Sequence, residues 1–262
     1  MKNPIKPQWI PYCTISAGLL GAALQVLYFA TAVDEKGLLA RSHPADILCW
    51  VLTAGMIVLL ALGVRSLGGV PKYEKLFPAS VPGAIGNFAG AAGIAAVGIR
   101  LLLSSGGTTG VPAAALGFIR IPTAILGFVS ALCLVAVGYW RWKGQKPPMA
   151  ARLPLILFAM LHLICQYRYW SSATQLQEYA FPLFGSVCLM LACYQLSALE
   201  CRLGGRRGYV FFGQAAAFFC FLASAQDPLF YLPMGVWMFL DVCSLRVLQR
   251  RQKPEEPDAQ GE

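Results

Sequence analysis

Charge is what this chain has least of. Lys, Arg, Asp and Glu make up 13% of its 262 residues, against roughly 25% in a soluble globular domain. So few charges do not cover the surface of a water-soluble core. Hydrophobic residues reach 57%, which excludes a disordered chain, because such chains are poor in apolar side chains. Histidine is almost missing, with His43 and His162 as the two present. A bis-histidine haem would need both at one level on facing helices, and His43 falls in a loop. The nine cysteines form no C-x-x-C pair and lie almost all in apolar runs, so they read as small buried hydrophobes rather than as metal ligands or disulfides. No H-E-x-x-H, G-x-S-x-G, Walker A or dinucleotide fingerprint occurs. Neither a cofactor nor a metal is expected.

What is present is a series of long apolar runs. A spanning helix needs roughly 20 mostly apolar residues, and eight stretches come close: 10–32, 45–64, 81–103, 111–139, 153–169, 180–199, 208–225 and 228–245. The fourth is too long for one straight span, so 111–119 is expected to lie at the interface, with entry near Arg120-Ile121-Pro122. The seventh and eighth are short and closely joined, which predicts a tight helical hairpin. Lys2 and Lys6 precede the first run and Ala30-Thr31-Ala32 ends it. Its apolar stretch exceeds the 7–15 residues of a signal peptide, so it reads as an uncleaved first helix. The expected fold is an all-α polytopic bundle of about eight transmembrane helices, a single domain over 1–253, with an acidic, disordered cytoplasmic tail over 254–262.

Lys and Arg placement orients the bundle, because cytoplasmic loops are enriched in both. With both termini in the cytoplasm, only Lys36, Arg41, Arg100, Arg120 and Arg168 of the 21 basic residues fall on the outer side. The net charge of +9 then meets anionic lipid headgroups, and nucleic acid is an unneeded partner. Trp9, Trp140 and Trp142 at inner ends and Trp170 at an outer end occupy interfacial belt positions. This pattern predicts a bacterial-type cytoplasmic membrane protein.

Small residues mark tight packing. Gly86 and Gly90 form a G-x-x-x-G in the third span, and Gly18 and Gly21 are the equivalent in the first. Packing inside one bundle is expected at both, with a homo-oligomer face as the other reading. Arg65-Ser66-Leu67-Gly68-Gly69 and Arg202-Leu203-Gly204-Gly205 end the second and sixth spans, a faint echo of two four-helix halves.

Polar residues at membrane depth are costly and are functional candidates. They cluster in the outer half. His162, Gln166 and Tyr169 share one face of the fifth span at i, i+4 and i+7, and Arg168 and Glu178 follow. Together they offer donors and acceptors for a polar ligand, a quinone head group or a proton. Arg120 stands where the fourth span starts, with Thr123, Gly127 and Ser130 on roughly its face, which predicts a narrow polar lining. Arg100 and Arg120 near outer span ends either snorkel to the interface or pair with Glu178, Asp227 or an anionic ligand, and Asp241 is expected to pair with a basic residue at the cytoplasmic face. Gln25, Tyr28 and Tyr231 are possible additions to the same pocket.

These residues predict a non-enzymatic small-molecule transporter or membrane substrate-binding component with an outward-facing polar cavity, its ligand groups being His162, Gln166, Tyr169, Arg120, Arg168 and Glu178. In size, span number and polar outer half the chain resembles the membrane anchor subunits of molybdenum-dependent reductases, a likeness of architecture without a motif. That resemblance implies a quinol-interacting anchor with a peripheral partner. A sensor or scaffold is a third reading. A lipid-active enzyme is a fourth and would need Glu178 beside His162.

Overall fold

A computed structural model describes residues 7–32, 43–65, 67, 77–103, 119–170, 179–201, 203, 205–245 and 248, with only the backbone at 149 and 168–170. Among them there is no strand, and eight α-helices follow one another. They are α1 (Ile10–Thr31), α2 (Pro44–Val64), α3 (Val81–Leu103), α4 (Arg120–Trp142), α5 (Leu153–Trp170), α6 (Ala180–Glu200), α7 (Arg206–Ala223) and α8 (Pro228–Cys243). Short 3-10 turns precede α1 (Pro7–Trp9) and α5 (Met149–Arg152). The chain is a multi-pass helical membrane protein, since α1 to α6 are long and apolar enough to cross a bilayer.

The other two helices lie inside, α7 falling short in apolarity and α8 in length. Helix α7 opens on Arg206 and Arg207, carries Gln214 at its middle, and is buried along an unbroken run from Gly213 to Ala223. Helix α8 has 16 residues, or about 24 Å at 1.5 Å per residue. The hairpin they form is joined by a turn over 224–227. Helices α1 and α2 cover one side of α7, while α3, α6 and α7 pack on α8, and α5 closes the ring between α4 and α6. Leucine, isoleucine and valine on the outer faces, such as Leu132 at 72% exposed and Val51 at 63%, are satisfied by lipid.

Glycine sets the closest approaches. A Cβ on Gly21 would lie 2.4 Å from Leu222 Cδ1, and one on Gly93 would lie 2.5 Å from Pro233 Cβ. Gly86 and Gly90 face Trp237 and Leu240 of α8, and Gly18 faces Phe221 of α7. The G-x-x-x-G of α3 is therefore a seam within the bundle. The expected interfacial segment 111–118 lies outside the described residues, as does much of the Arg-Leu-Gly-Gly echo. Helix α4 does begin at Arg120.

Overpacking such a seam costs about 1–3 kcal/mol. Gly21→Val and Gly93→Val are expected to lower the thermal unfolding midpoint in mild detergent by several degrees. Gly55→Ala, where an added Cβ meets nothing within 4 Å, should leave it unchanged.

Candidate functional site

The bundle has two polar ends, and helix α8 connects them. Its residues Asp227, Tyr231, Met234, Met238 and Asp241 recur at helical spacing along one side. The end bearing Arg65, Arg141, Arg152 and Arg206 is called here the basic end, and the other the far end.

At the basic end Arg141 Nη2 donates to Asp241 Oδ1 at 2.8 Å and to Ser244 Oγ at 2.6 Å. Tyr209 Oη donates to Asp241 Oδ2. Phe77 lies under the guanidinium, 4.0 Å from Cζ to ring centroid. Arg141 and Asp241 are 2% and 1% exposed. Beside them Arg152 Nε donates to Glu200 Oε1 at 2.8 Å, again a fully buried pair. Five elements meet here, because Arg141 ends α4, Arg152 precedes α5, Glu200 ends α6, Tyr209 begins α7 and Asp241 ends α8. Asp241 was expected to find a basic partner, and Arg141 is that partner. The extent of the network was not legible, because Arg141 and Arg152 counted only among the basic residues that orient the bundle.

At the far end the helices bring the predicted residues together in part. His162 on α5 is 4% exposed. Phe158 stacks on its ring at 5.7 Å, and the Phe230 ring centroid is 4.3 Å away. Among the described residues neither Nδ1 nor Nε2 of His162 has a hydrogen-bond partner. One turn on, Gln166 Oε1 accepts from Tyr231 Oη at 2.7 Å. The Ser186 hydroxyl of α6 is 3.1 Å from the same Tyr231 oxygen. A chain of polar groups thus joins α5, α8 and α6. Tyr231 belongs to it, as the sequence suggested.

Arg100 closes the far end of this cluster. Its Nη1 and Nη2 donate to Asp227 Oδ1 and Oδ2 at 2.9 and 2.7 Å, a two-point ion pair. The pair is 31% and 16% exposed. Arg100 stands three residues before the end of α3, so the pair sits roughly 5 Å inside the helix ends. His162, eight residues before the end of α5, lies deeper, roughly 12 Å in. Phe230 and Tyr231, three and four residues after Asp227, bring the pair and His162 to one side of α8. Asp227 and Arg100 are the charges acting on the imidazole.

Other expected site residues lie elsewhere. Arg120 donates through Nε to Leu101 O at 2.5 Å and through Nη2 to Leu102 O at 2.8 Å. It caps the last turn of α3, whose carbonyls lack intrahelical donors. Thr123 and Ser130 bond back to Ile119 O and Leu126 O, and the Phe158 ring covers Gly127. That face of α4 is packed rather than a lining. Gln25 on α1 is buried, and Tyr28 packs beside His43, the latter away from α5. The side chains of Arg168 and Tyr169, and all of Glu178, lie outside the described residues. No group of three or more His, Cys, Asp or Glu that could hold a metal ion occurs among the described residues.

Comparison with known protein families, curated proteins and solved structures finds no match.

Removing one member of a buried ion pair leaves the other charge uncompensated, at about 3–5 kcal/mol, whereas apolar replacement of both is far milder. Asp241→Asn is expected to lower the unfolding midpoint strongly, and Arg141→Met with Asp241→Leu to recover most of the loss. Equal losses in the single and double variants would show that the two groups are uncoupled.

Proposed function

We propose that this chain is a small-molecule carrier, or the membrane-embedded binding component of one, that takes a polar solute at His162 from the far end of the bundle. The observation that carries the reading is the imidazole at 4% exposure with neither nitrogen partnered among the described residues. A buried polar group left without a partner costs about 1–3 kcal/mol, and native interiors rarely keep one without a role. A solute that donates to one nitrogen or accepts from the other removes that cost. Gln166, Tyr231 and Ser186 extend the polar surface next to it. In this reading all eight helices traverse the membrane and both termini face the cytoplasm. The basic end then meets anionic headgroups, and the site opens outward in a bacterial cytoplasmic membrane.

The asymmetry of the two ends supports an outward opening. The basic end is closed by two buried ion pairs spread over five elements. Among the described residues, the ion pair at the far end is Arg100–Asp227, which is partly exposed. Exposed ion pairs contribute about 0–1 kcal/mol, so the far end is the easier one to part.

A second reading has its own observation. Phe158 and Phe230 flank the imidazole, and a flat quinone head group also needs ring stacking plus a donor to each carbonyl. In that case the chain is the quinol-interacting anchor of a peripheral oxidoreductase, and mild-detergent purification would bring a redox subunit with it.

The test is thermal stabilisation of the purified protein by a panel of amino acids, polyols, nucleosides, short carboxylates and a short-tailed ubiquinone. At least one polar solute is expected to raise the midpoint by several degrees in wild type and in Leu132→Ala, a lipid-facing control. His162→Ala should lose the shift. A panel in which only the quinone stabilises would move the assignment to the anchor. Equal shifts in wild type and His162→Ala would remove His162 from the site.

A further inference from the structure

We infer that the solute this site accepts is an uncharged amide-like molecule, one that carries a carbonyl next to an N–H group, as in a carboxamide, a lactam or a nucleobase. The inference rests on the carrier reading above and specifies its substrate class.

The argument begins with charge. Among the described residues, the charges acting on His162 are Asp227 and Arg100. These two hold each other, both Asp227 oxygens lying on the Arg100 fork, and Arg100 makes a further interaction besides. A cation drawn to Asp227 would therefore stand beside a guanidinium, and an anion drawn to Arg100 beside a carboxylate. The polar groups next to the imidazole are Gln166, Tyr231 and Ser186, and none of them carries a charge. Phe158 and Phe230 supply apolar ring faces. An ion entering such surroundings gives up water and gains no counter-ion. That costs far more than burying a polar group that finds hydrogen bonds. An uncharged solute avoids the cost.

The count of donors and acceptors narrows the class. Tyr231 Oη donates to Gln166 Oε1 at 2.7 Å, and its oxygen also lies 3.2 Å from Pro182 O and 3.1 Å from the Ser186 hydroxyl. The amide oxygen of Gln166 is thereby engaged, and its NH2 group brings two donors. With a proton on one nitrogen, the imidazole adds one donor and one acceptor, and neither is used among the described residues. His162 and Gln166 stand one turn apart on one face of α5, with Cβ atoms about 5–6 Å apart. Together they offer more donors than acceptors over a short span. A carbonyl oxygen has two lone pairs to take two of those donors, and an adjacent N–H meets the one acceptor. A polyol is equally uncharged, but each hydroxyl brings a donor, and the imidazole supplies one acceptor for all of them.

The experiment uses pairs of nearly equal shape that differ in charge, propionamide with propionate and nicotinamide with nicotinate. Uracil serves as a ring amide, and glycerol as an uncharged solute without a carbonyl. Binding to the purified full-length protein is read by thermal shift and by isothermal titration calorimetry. At least one of propionamide, nicotinamide and uracil is expected to bind, about tenfold or more tighter than either carboxylate or glycerol. Gln166→Leu removes the donors and should weaken that binding by about tenfold or more. Tyr231→Phe keeps the Gln166 amide and should retain most of it. Should Gln166→Leu fail to fold, Gln166→Glu keeps an acceptor for Tyr231, replaces the NH2 group by oxygen, and should lose the amide as well. A carboxylate binding as tightly as its amide would overturn the inference. So would amide binding that the Gln166 variants leave unchanged, or no binding of any of the three amides. The carrier reading fails separately. If glycerol or an amino acid stabilises wild type but not His162→Ala, the site stands and the amide class is excluded. If no solute distinguishes wild type from His162→Ala, both readings fall.

Discussion

Everything else in this fold depends on holding α8 inside the bundle with an aspartate at each end. A charge inside a helical bundle is costly unless it is paired, and α8 carries two. Each is neutralised by an arginine from the α3 and α4 hairpin, Asp227 by Arg100 and Asp241 by Arg141. Between them Trp237 Nε1 donates to Asn87 Oδ1 at 3.1 Å. Helix α8 is thus tied to α3 and α4 at three depths. Glycines along α3 allow the close approach that these bonds require, with Gly93 against Pro233 and Gly86 and Gly90 against Trp237. Charge pairing and small-residue packing enforce the same register, because shifting α8 by one turn would break both.

The same geometry explains why the two ends differ. Helix α8, with 16 residues, is shorter than the helices around it, and Asp241 fixes it level with the last turn of α4 at the basic end. Asp227 at the far end is partly exposed, while Asp241 is sealed beside Tyr209 and Arg141, with Phe77 against the guanidinium. Among the described residues, His162 keeps both nitrogens unpaired beside aromatic rings. A polar group that packing could have replaced with leucine stays polar and unsatisfied, one turn from a chain of hydroxyl and amide groups.

Much of this architecture could be read directly. Apolar run length located all eight helices, and Arg120 was recognised as the start of α4. The 3.6-residue period placed His162 and Gln166 on one face of α5. Reading failed where neighbours mattered. Periodicity says which residues share a face and says nothing of which helix lies opposite. Arg120 therefore looked like a ligand group, whereas its reach ends at the carbonyls of α3. Arg141 and Arg152 counted only toward the basic side that sets orientation. The partners that internalise them, Asp241 and Glu200, stand 100 and 48 residues away. Tyr231 was named with little to recommend it and proved to bond directly to Gln166. Composition did hold one usable signal for α7 and α8. Their stretches are short and closely joined, which predicted the hairpin that the two helices form.

The central claim is that His162 faces an occupant and not a dry packing defect. The most direct measurement is a high-resolution cryo-electron microscopy structure of the protein in lipid nanodiscs, read at the imidazole. The account predicts ordered density, water or solute, within hydrogen-bonding distance of Nδ1 or Nε2 and continuous with the Arg100–Asp227 pair. An imidazole enclosed only by Phe158, Phe230 and other apolar side chains, with no such density in the absence or presence of polar solutes, would contradict it.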